Sequence, residues 1–346
     1  MTGEFVIPRP LGENGKVMNK ILIGFFAAMF GLGLQAEDNA LVLSQTIPMP
    51  GLKGGFNHMS VDAKRQLLFA AAPTNQTVEV IDLKSGQPQP SLVGSKPAAV
   101  RYAAEFGQLY VSRTDQLTIH NAASFQVQTE INLESSLDEL QYNPTAKQLY
   151  VGCMTAGKVG IAIISLPEGK VRGNVALPGK PQGIVIEQKG HRLFANVPSA
   201  HAVAVVDGQK AVLLETWPVD KGEGNCALAL DEVHGRLFVA CRRPTTLFVF
   251  DTTTGKSIAS VSIDGDTDDM FYDPTAKRVY ITGGKGFVDV IDQIDADHYQ
   301  THERIPTAAG ARTSTFDATL GVLCVGVPKS KTEPAKLLIF RTNTAR

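Results

Sequence analysis

The chain of 346 residues has few of the features that usually identify a function. It has one tryptophan, four cysteines and a formal net charge of -1 at pH 7, so its bulk charge gives no reason to expect binding to nucleic acid or to an anionic membrane. A haem attachment motif, a His-Glu-x-x-His zinc helix and a Gly-x-Ser-x-Gly nucleophile elbow are absent from the sequence. These absences remove the enzyme classes that are easiest to recognise from sequence.

Long apolar runs are also scarce, and the one near the N-terminus has the pattern of a signal peptide. Lys20 precedes a run of 14 residues, Ile21 to Leu34, and small Ala36 stands before Glu37. A helix of this length does not span the roughly 30 Å of hydrocarbon in a bilayer. We therefore expect a signal peptide over residues 18–36, cleavage near Ala36, and a periplasmic or secreted mature chain without a membrane span. Residues 1–17 are either a misassigned start or a long n-region.

The sequence is rich in one short repeat. A polar or small residue is followed seven positions later by the middle residue of a Leu-aromatic-small strand, as in Asp62 and Phe69. The anchors of this strand are 41, 40, 44, 44, 42 and 44 residues apart. They are Phe69, Tyr110, Tyr150, Phe194, Phe238, Tyr280 and Cys324. A period near 40 to 45 built from short β runs is typical of propeller blades, and we predict an all-β, seven-bladed β-propeller of four-stranded antiparallel blades over residues 37–346.

The last repeat lacks one strand, and one additional predicted strand precedes the first repeat. Repeat five predicts four strands, whereas repeat seven ends after its third, at Lys336–Arg341. Leu41–Ile47 precedes the first repeat and has no repeat of its own. We therefore predict that residues 41–47 join the last blade as its outer strand and close the ring.

Several segments resemble a known propeller repeat. They are Gly94-Ser95-Lys96-Pro97, Gly179-Lys180-Pro181, Arg236-Leu237-Phe238-Val239-Ala240 and Asp251-Thr252-Thr253-Thr254-Gly255-Lys256. These segments are similar to the YVTN repeat of the YncE-like proteins, in the superfamily that includes the propeller β-chain of quinoprotein amine dehydrogenases. The resemblance covers residues 41–341 and implies an exported seven-bladed propeller. It implies no single activity, because fold alone does not determine function.

In a propeller, the connections into each inner strand ring one mouth of the central channel, together with the loops after the second strands. Counting back from the aligned polar positions predicts these mouth residues: Asn57, His58, Ala98, Ala99, Asp138, Glu139, Gln182, Gly183, Cys226, Ala227, Asp268, Asp269, Arg312 and Thr313. The second-strand loops add Arg113, Lys158, His201, Arg242, Arg243 and Lys285. The candidate ligand-binding set is Asn57, His58, Asp138, Glu139, Gln182, Asp268, Asp269, Arg312 and Arg113.

Three interpretations of this mouth remain open at the level of sequence. The acidic pairs could form only a hydrated rim, or they could bind a small polar molecule or an exported protein partner. They could also hold a divalent cation, the one cofactor for which there is a candidate, through Asp138, Glu139, Asp268 and Asp269 with Asn57 or His58. We favour a non-catalytic exported propeller that binds a ligand or partner at the mouth. The alternative is a metal-dependent enzyme of the lactonase or lyase type.

Export makes the four cysteines relevant, because disulfides persist in oxidising compartments. If Asp231 pairs with Arg236, antiparallel register places Cys226 opposite Cys241, within disulfide reach. We therefore predict a Cys226–Cys241 disulfide and interpret Cys153 and Cys324 as buried thiols.

Overall fold

The computed structural model describes residues 39–94 and 96–343. The expected signal peptide, residues 18–36, and the preceding residues 1–17 lie outside the described part. Within it, the regular structure consists of 28 β-strands and one 3-10 turn at Pro198–Ala200. The strands form seven antiparallel sheets of four strands, which is the predicted all-β architecture.

Each blade has an inner strand nearest the channel, two middle strands and an outer strand. The first blade contains β2 (Met59–Asp62), β3 (Leu67–Ala72), β4 (Thr77–Asp82) and β5 (Gln87–Val93). The second contains β6 (Ala99–Ala103), β7 (Gln108–Ser112), β8 (Gln116–Asn121) and β9 (Val127–Asn132). The third contains β10 (Leu137–Asn143), β11 (Gln148–Cys153), β12 (Gly160–Ser165) and β13 (Lys170–Ala176). The fourth and fifth contain β14 (Gln182–Ile186), β15 (Arg192–Val197), β16 (Ala202–Asp207) and β17 (Val212–Pro218); β18 (Glu223–Asp231), β19 (Arg236–Arg243), β20 (Thr245–Asp251) and β21 (Ser257–Ser262). The sixth contains β22 (Thr267–Asp273), β23 (Arg278–Gly283), β24 (Phe287–Gln293) and β25 (Tyr299–Pro306).

The seventh blade confirms the predicted ring closure. It contains β26 (Thr313–Asp317), β27 (Val322–Val327) and β28 (Ala335–Thr342), and its outer strand is β1 (Leu41–Met49). Strand β1 pairs antiparallel with β28, from Leu41 opposite Thr342 to Met49 opposite Ala335. The last blade is thus built from both ends of the described chain, which removes an open seam from the ring.

Apolar side chains between adjacent blades hold the ring together. The repeated aromatic anchors are among its most buried residues: Phe69, Tyr110, Phe194 and Phe238 are 0% exposed. Cys324 occupies the same position in the seventh blade and is also 0% exposed, as its alignment with the aromatic anchors predicts. Since each anchor lies in a cluster shared by two blades, a single blade could not bury its own sheet faces.

Short polar side chains shape the turns after the third strands. Asp82, Asn121, Asp207 and Asp251 each end a third strand and accept hydrogen bonds from the backbone amides two and three residues later. This is an Asx turn, which offers the backbone a local partner in place of a continuing ladder. The same residue type therefore ends the same strand in four blades.

The inner strands are interrupted at the channel mouth by β-bulges. The register shifts between Leu137 and Leu140 in β10, between Gln182 and Ile184 in β14, between Asn225 and Leu228 in β18, and between Thr267 and Asp269 in β22. A bulge adds an unpaired residue and re-aims the side chains beside it. In the third blade the bulge contains both Asp138 and Glu139, and in the sixth blade it contains Asp268, while Asp269 is the first paired residue after it.

The bulge in the fifth blade corrects the predicted disulfide. Asn225, not Cys226, lies opposite Cys241, because the extra residue shifts the pairing that begins at Asp231 and Arg236. The four cysteines are free and buried in this structure, so the Cys226–Cys241 bridge is not formed. The expectation that Cys153 and Cys324 are buried thiols is confirmed.

Candidate functional site

The predicted mouth residues converge on one cavity, here called the mouth cavity. It has a volume of about 270 Å³ and is lined by Asn57, His58, Asp138, Glu139, Gln182, Gly183, Cys226, Arg242, Asp268 and Arg312. Seven of the nine candidate ligand-binding residues are therefore neighbours in space although they come from five different blades. Their convergence is a consequence of ring closure, since the blades contribute equivalent positions around one axis.

Contacts from neighbouring blades hold the residues in and beside the bulges in place. The hydroxyl of Ser112 in the second blade donates to the backbone carbonyl of Asp138 at 2.8 Å. The backbone amide of Ser314 in the seventh blade donates to Oδ2 of Asp269 at 2.8 Å. Gly183 has a φ of +68°, and a Cβ at this position would lie 2.2 Å from the carbonyl oxygen of Cys226. Glycine is therefore required where the fourth and fifth blades approach each other at the mouth.

His58 lies between two carboxylates that belong to other blades. Its Nε2 is 3.7 Å from Oδ1 of Asp138 in the third blade, and its Nδ1 is 3.5 Å from Oδ1 of Asp269 in the sixth. Burial on its own would lower the pKa of His58, but Asp269, Asp138 and Glu139 outweigh it and raise the pKa to about 10. The imidazole is thus charged at neutral pH and joins three blades electrostatically across the channel.

A second charged group connects the fifth, sixth and seventh blades at the rim. Arg242 Nη2 donates to Asp268 Oδ1 at 3.0 Å, and Arg312 Nε lies 3.3 Å from Asp268 Oδ2. Arg312 Nη1 also donates to both carboxylate oxygens of Asp266, at 3.0 and 2.9 Å. The carboxylate of Asp268 is therefore compensated by two guanidinium groups.

Below the mouth lies a second cavity, here called the channel cavity, of about 420 Å³. It shares His58, Glu139, Gly183 and Asp268 with the mouth cavity. It extends to Gln188, Glu232 and Ala318, which follow inner strands at the opposite face of the ring. Asp269, the eighth candidate residue, lines this cavity. Its volume lies within the range of about 300 to 1,000 Å³ that is usual for small-molecule sites.

Two residues of the channel cavity are not among the predicted mouth residues. Arg101 and Gln141 line it, and Gln141 Nε2 donates to Glu139 Oε1 at 2.8 Å. They stand two positions after Ala99 and Glu139 on the inner strands, and alternate residues of a strand face the same side. Continuing the count by two residues from the mouth positions would have found them.

Burial shifts the pKa of several groups in the two cavities. It raises the pKa of Glu139, although the charge of His58 acts in the opposite direction. It also raises the pKa of Asp268, and the negative charge of the neighbouring Asp269 raises this pKa further. Burial lowers the pKa of Arg101. Each shift disfavours the charged form, which is the expected effect of removing an ion from water.

Arg113, the ninth candidate residue, was placed wrongly at the mouth. It is 8% exposed and lines a separate cavity with His120 and Glu130. Its Nε donates to Thr118 Oγ1 at 3.2 Å, and Thr118 Oγ1 lies 2.9 Å from His120 Nε2. The side chain follows its own blade outward, so a loop position alone does not determine whether a long side chain reaches the channel.

The candidate cation ligands do not form a metal-binding group. Across residues 39–94 and 96–343, no cluster of three or more His, Cys, Asp or Glu side chains has an arrangement suited to a metal ion. Asp138 and Asp269 are each near His58, and Asp268 is near two arginines.

In the same described part, no helical segment has the length and apolar character needed to cross a bilayer.

Solved structures with a similar fold cover most of the chain. One chain from a crystal structure of the mitotic checkpoint complex has a TM-score of 0.74 at 14% identity, covering 94% of this chain and 99% of that one. The RRP9 WD40 repeats give 0.76 at 11% identity, covering 88% and 99%. Hydrazine synthase of Kuenenia stuttgartiensis gives 0.73 at 16% identity, covering 84% and 96%.

The chain is a seven-bladed β-propeller. At these identities the likeness shows the fold and not the activity. No protein-family model and no curated protein matches the sequence. The resemblance to the YVTN repeat therefore stays a prediction.

Proposed function

We propose that this protein is a non-catalytic propeller of the exported YncE-like kind, and that it binds a small polar ligand in its central channel. The observation that carries the proposal is the convergence of charged side chains from separate blades on two connected cavities. Adjacent carboxylates repel one another and contribute nothing to a β core, so the fold alone does not favour Asp138-Glu139 or Asp268-Asp269. Binding a ligand gives these residues a role.

The depth of the channel cavity favours a small molecule over a protein partner. A protein surface would contact the rim, where Asp268, Arg242 and Arg312 already compensate one another. The metal-dependent alternative has less support, because the described acidic residues do not form a group suited to a metal ion.

Thermal unfolding with a panel of small polar compounds tests the proposal. The panel includes amino acids, sugars, polyols, dicarboxylates, polyamines and divalent cations. A ligand at about 100 times its dissociation constant stabilises the folded state by about 2.7 kcal/mol, which raises the melting temperature measurably. Export is tested separately by mass spectrometry of the mature N-terminus, which we expect near Glu37.

Two variants and one control locate the binding site. Asp138→Asn changes the mouth cavity and Gln141→Ala the channel cavity. Asp220→Asn is the control, because Asp220 is exposed and lines neither cavity. We expect at least one cavity variant to weaken binding while the control does not. A panel without any binder, or binding that is equal in all three variants, would contradict the proposal.

A further inference from the structure

Most charged groups in the two cavities have an opposite charge nearby. His58 lies within 4 Å of Asp138 and Asp269, and Asp268 pairs with Arg242 and Arg312. Glu232, at the opposite end of the channel cavity, accepts hydrogen bonds from the backbone amides of Gln188 and Lys189. Two further groups of this cavity form no ion pair with the described residues. These are the guanidinium of Arg101 and the carboxylate of Glu139, which lie on the neighbouring inner strands β6 and β10.

Arg101 uses only one of its donor nitrogens. Its Nε donates to the backbone carbonyl of Leu140 at 3.0 Å, which fixes the guanidinium beside the third blade. Neither Nη1 nor Nη2 has a hydrogen-bond or ion-pair partner among residues 39–94 and 96–343. A guanidinium with two free terminal nitrogens is the group that binds a carboxylate in the bidentate manner.

Glu139 is also incompletely satisfied. A carboxylate can accept about four hydrogen bonds. Gln141 donates to Oε1, whereas Oε2 is buried and accepts no hydrogen bond from the described residues. No ion pair connects Glu139 with Arg101, although they are close enough for the charge of Glu139 to act on the guanidinium. The carboxylate thus has capacity for a donor that enters the channel cavity.

The wall from the fourth, fifth and sixth blades is apolar at the same strand position, whereas the seventh and first blades have Thr315 and Ser60 there. Arg101 and Gln141 occupy this position in the second and third blades. In the fourth, fifth and sixth blades it is occupied by Val185, Ala229 and Phe271, all of which line the cavity. One wall of the channel cavity therefore contains a cation and an anion that form no direct ion pair within the described part of the chain, and another wall suits an apolar group.

From this arrangement we propose that the channel cavity binds a small zwitterion of the α-amino-acid class with an apolar side chain. Arg101 binds its carboxylate, Glu139 accepts from its ammonium, and its side chain contacts Val185, Ala229 and Phe271. The inference rests on the proposed function, since it assigns a ligand class to the same channel.

Two amino acids and their single-charge analogues test this assignment by calorimetry. L-leucine is compared with 4-methylpentanoate, which lacks the ammonium, and with 3-methylbutylamine, which lacks the carboxylate. L-phenylalanine is compared with 3-phenylpropanoate and 2-phenylethylamine. A hydrogen bond to a charged group contributes about 1.5 to 3 kcal/mol, so each analogue should bind about tenfold to a hundredfold more weakly than its parent amino acid.

Two charge variants identify which end of the ligand each residue binds. Arg101→Gln should remove the advantage of the amino acid over the amine, and Glu139→Gln should remove its advantage over the carboxylate. Arg172→Gln and Glu215→Gln are the matched controls, because both residues are exposed on outer strands. We expect both controls to bind like the unchanged protein.

The outcomes separate this inference from the proposed function. If sugars or polyols bind in the channel while amino acids bind no more tightly than their single-charge analogues, the function stands and the zwitterion assignment is overturned. If the analogues lose affinity but the two charge variants do not, the ligand lies elsewhere and the assignment is also overturned. If no compound binds, the channel holds water only and both proposals fail.

Discussion

Replacing His58 should change how the stability of the ring depends on pH. His58 in the first blade lies 3.7 Å from Asp138 and 3.5 Å from Asp269, which belong to the third and sixth blades. Its pKa is raised from 6.5 to about 10, against the effect of burial, by these carboxylates and Glu139. His58→Gln keeps a polar side chain of similar size but removes the charge.

The magnitude follows from the raised pKa. The difference between 6.5 and about 10 corresponds to about 5 kcal/mol of unfolding free energy, at about 1.36 kcal/mol for each pH unit. Solvent reaches 21% of the His58 side chain and screens part of this interaction, so we expect about 2 to 3 kcal/mol. Because the folded state holds the proton more tightly than the unfolded state, the contribution is fully present below about pH 6.5. It is lost as the pH rises towards about 10.

Denaturant unfolding between pH 6 and 10 measures this contribution as a difference, which cancels the titrating groups that do not interact with His58. The unfolding free energy of the unchanged protein should exceed that of His58→Gln by about 2 to 3 kcal/mol at pH 6, and the gap should close by about pH 10. His191→Gln is the control, since His191 is exposed in the turn after β14. A gap that stays constant over this range would refute the assignment of a charged His58 at neutral pH.

Three further outcomes follow from the packing. Deleting residues 41–49 should expose the edge of β28 and the apolar surface that β1 covers. Size-exclusion chromatography should then show aggregated or strongly destabilised protein. An unchanged melting temperature would refute the closure of the ring by β1. Phe238→Ala should lower the unfolding free energy by about 3 to 5 kcal/mol in denaturant titrations, because Phe238 is 0% exposed and packs against two tyrosine rings; a loss below about 1 kcal/mol would contradict this. The four cysteines should be alkylated without reductant only after unfolding, and a disulfide in non-reducing peptide maps would show that the pairing in the fifth blade is different.

Many of the residues at the channel mouth could be predicted because the repeats can be aligned position by position. Once the anchors are aligned, equivalent residues of each blade must lie at equivalent heights around one axis. For this reason Asn57, His58, Asp138, Asp268 and the other mouth residues were found from numbering alone. Arg101 follows from the same alignment and the two-residue period of a strand, since it lies two residues after the predicted mouth residue Ala99.

The failures come from local departures from the repeat. The bulge in β18 changed the partner of Cys241 from Cys226 to Asn225. Nothing in the sequence marks this bulge, because it is stabilised by contacts with the preceding blade. Asn225 Nδ2 donates to Asn196 Oδ1 at 2.8 Å, and Asn196 Nδ2 donates to the carbonyl of Cys226 at 3.0 Å. Arg113 was misplaced because a long side chain can follow its own blade instead of entering the channel.

By itself, the sequence determined the number of blades, their strand order and the use of the N-terminal strand to close the ring. These properties depend on periodic apolar residues that must be buried between neighbouring sheets. Such a periodic pattern can be recognised in the amino-acid sequence alone. Only the tertiary structure decided which charges meet in the channel. His58, Asp138 and Asp269 are far apart in the chain, and their distances depend on bulges and contacts between blades, while the pKa of His58 depends on those distances. Electrostatic interactions of this kind are properties of three-dimensional proximity and burial.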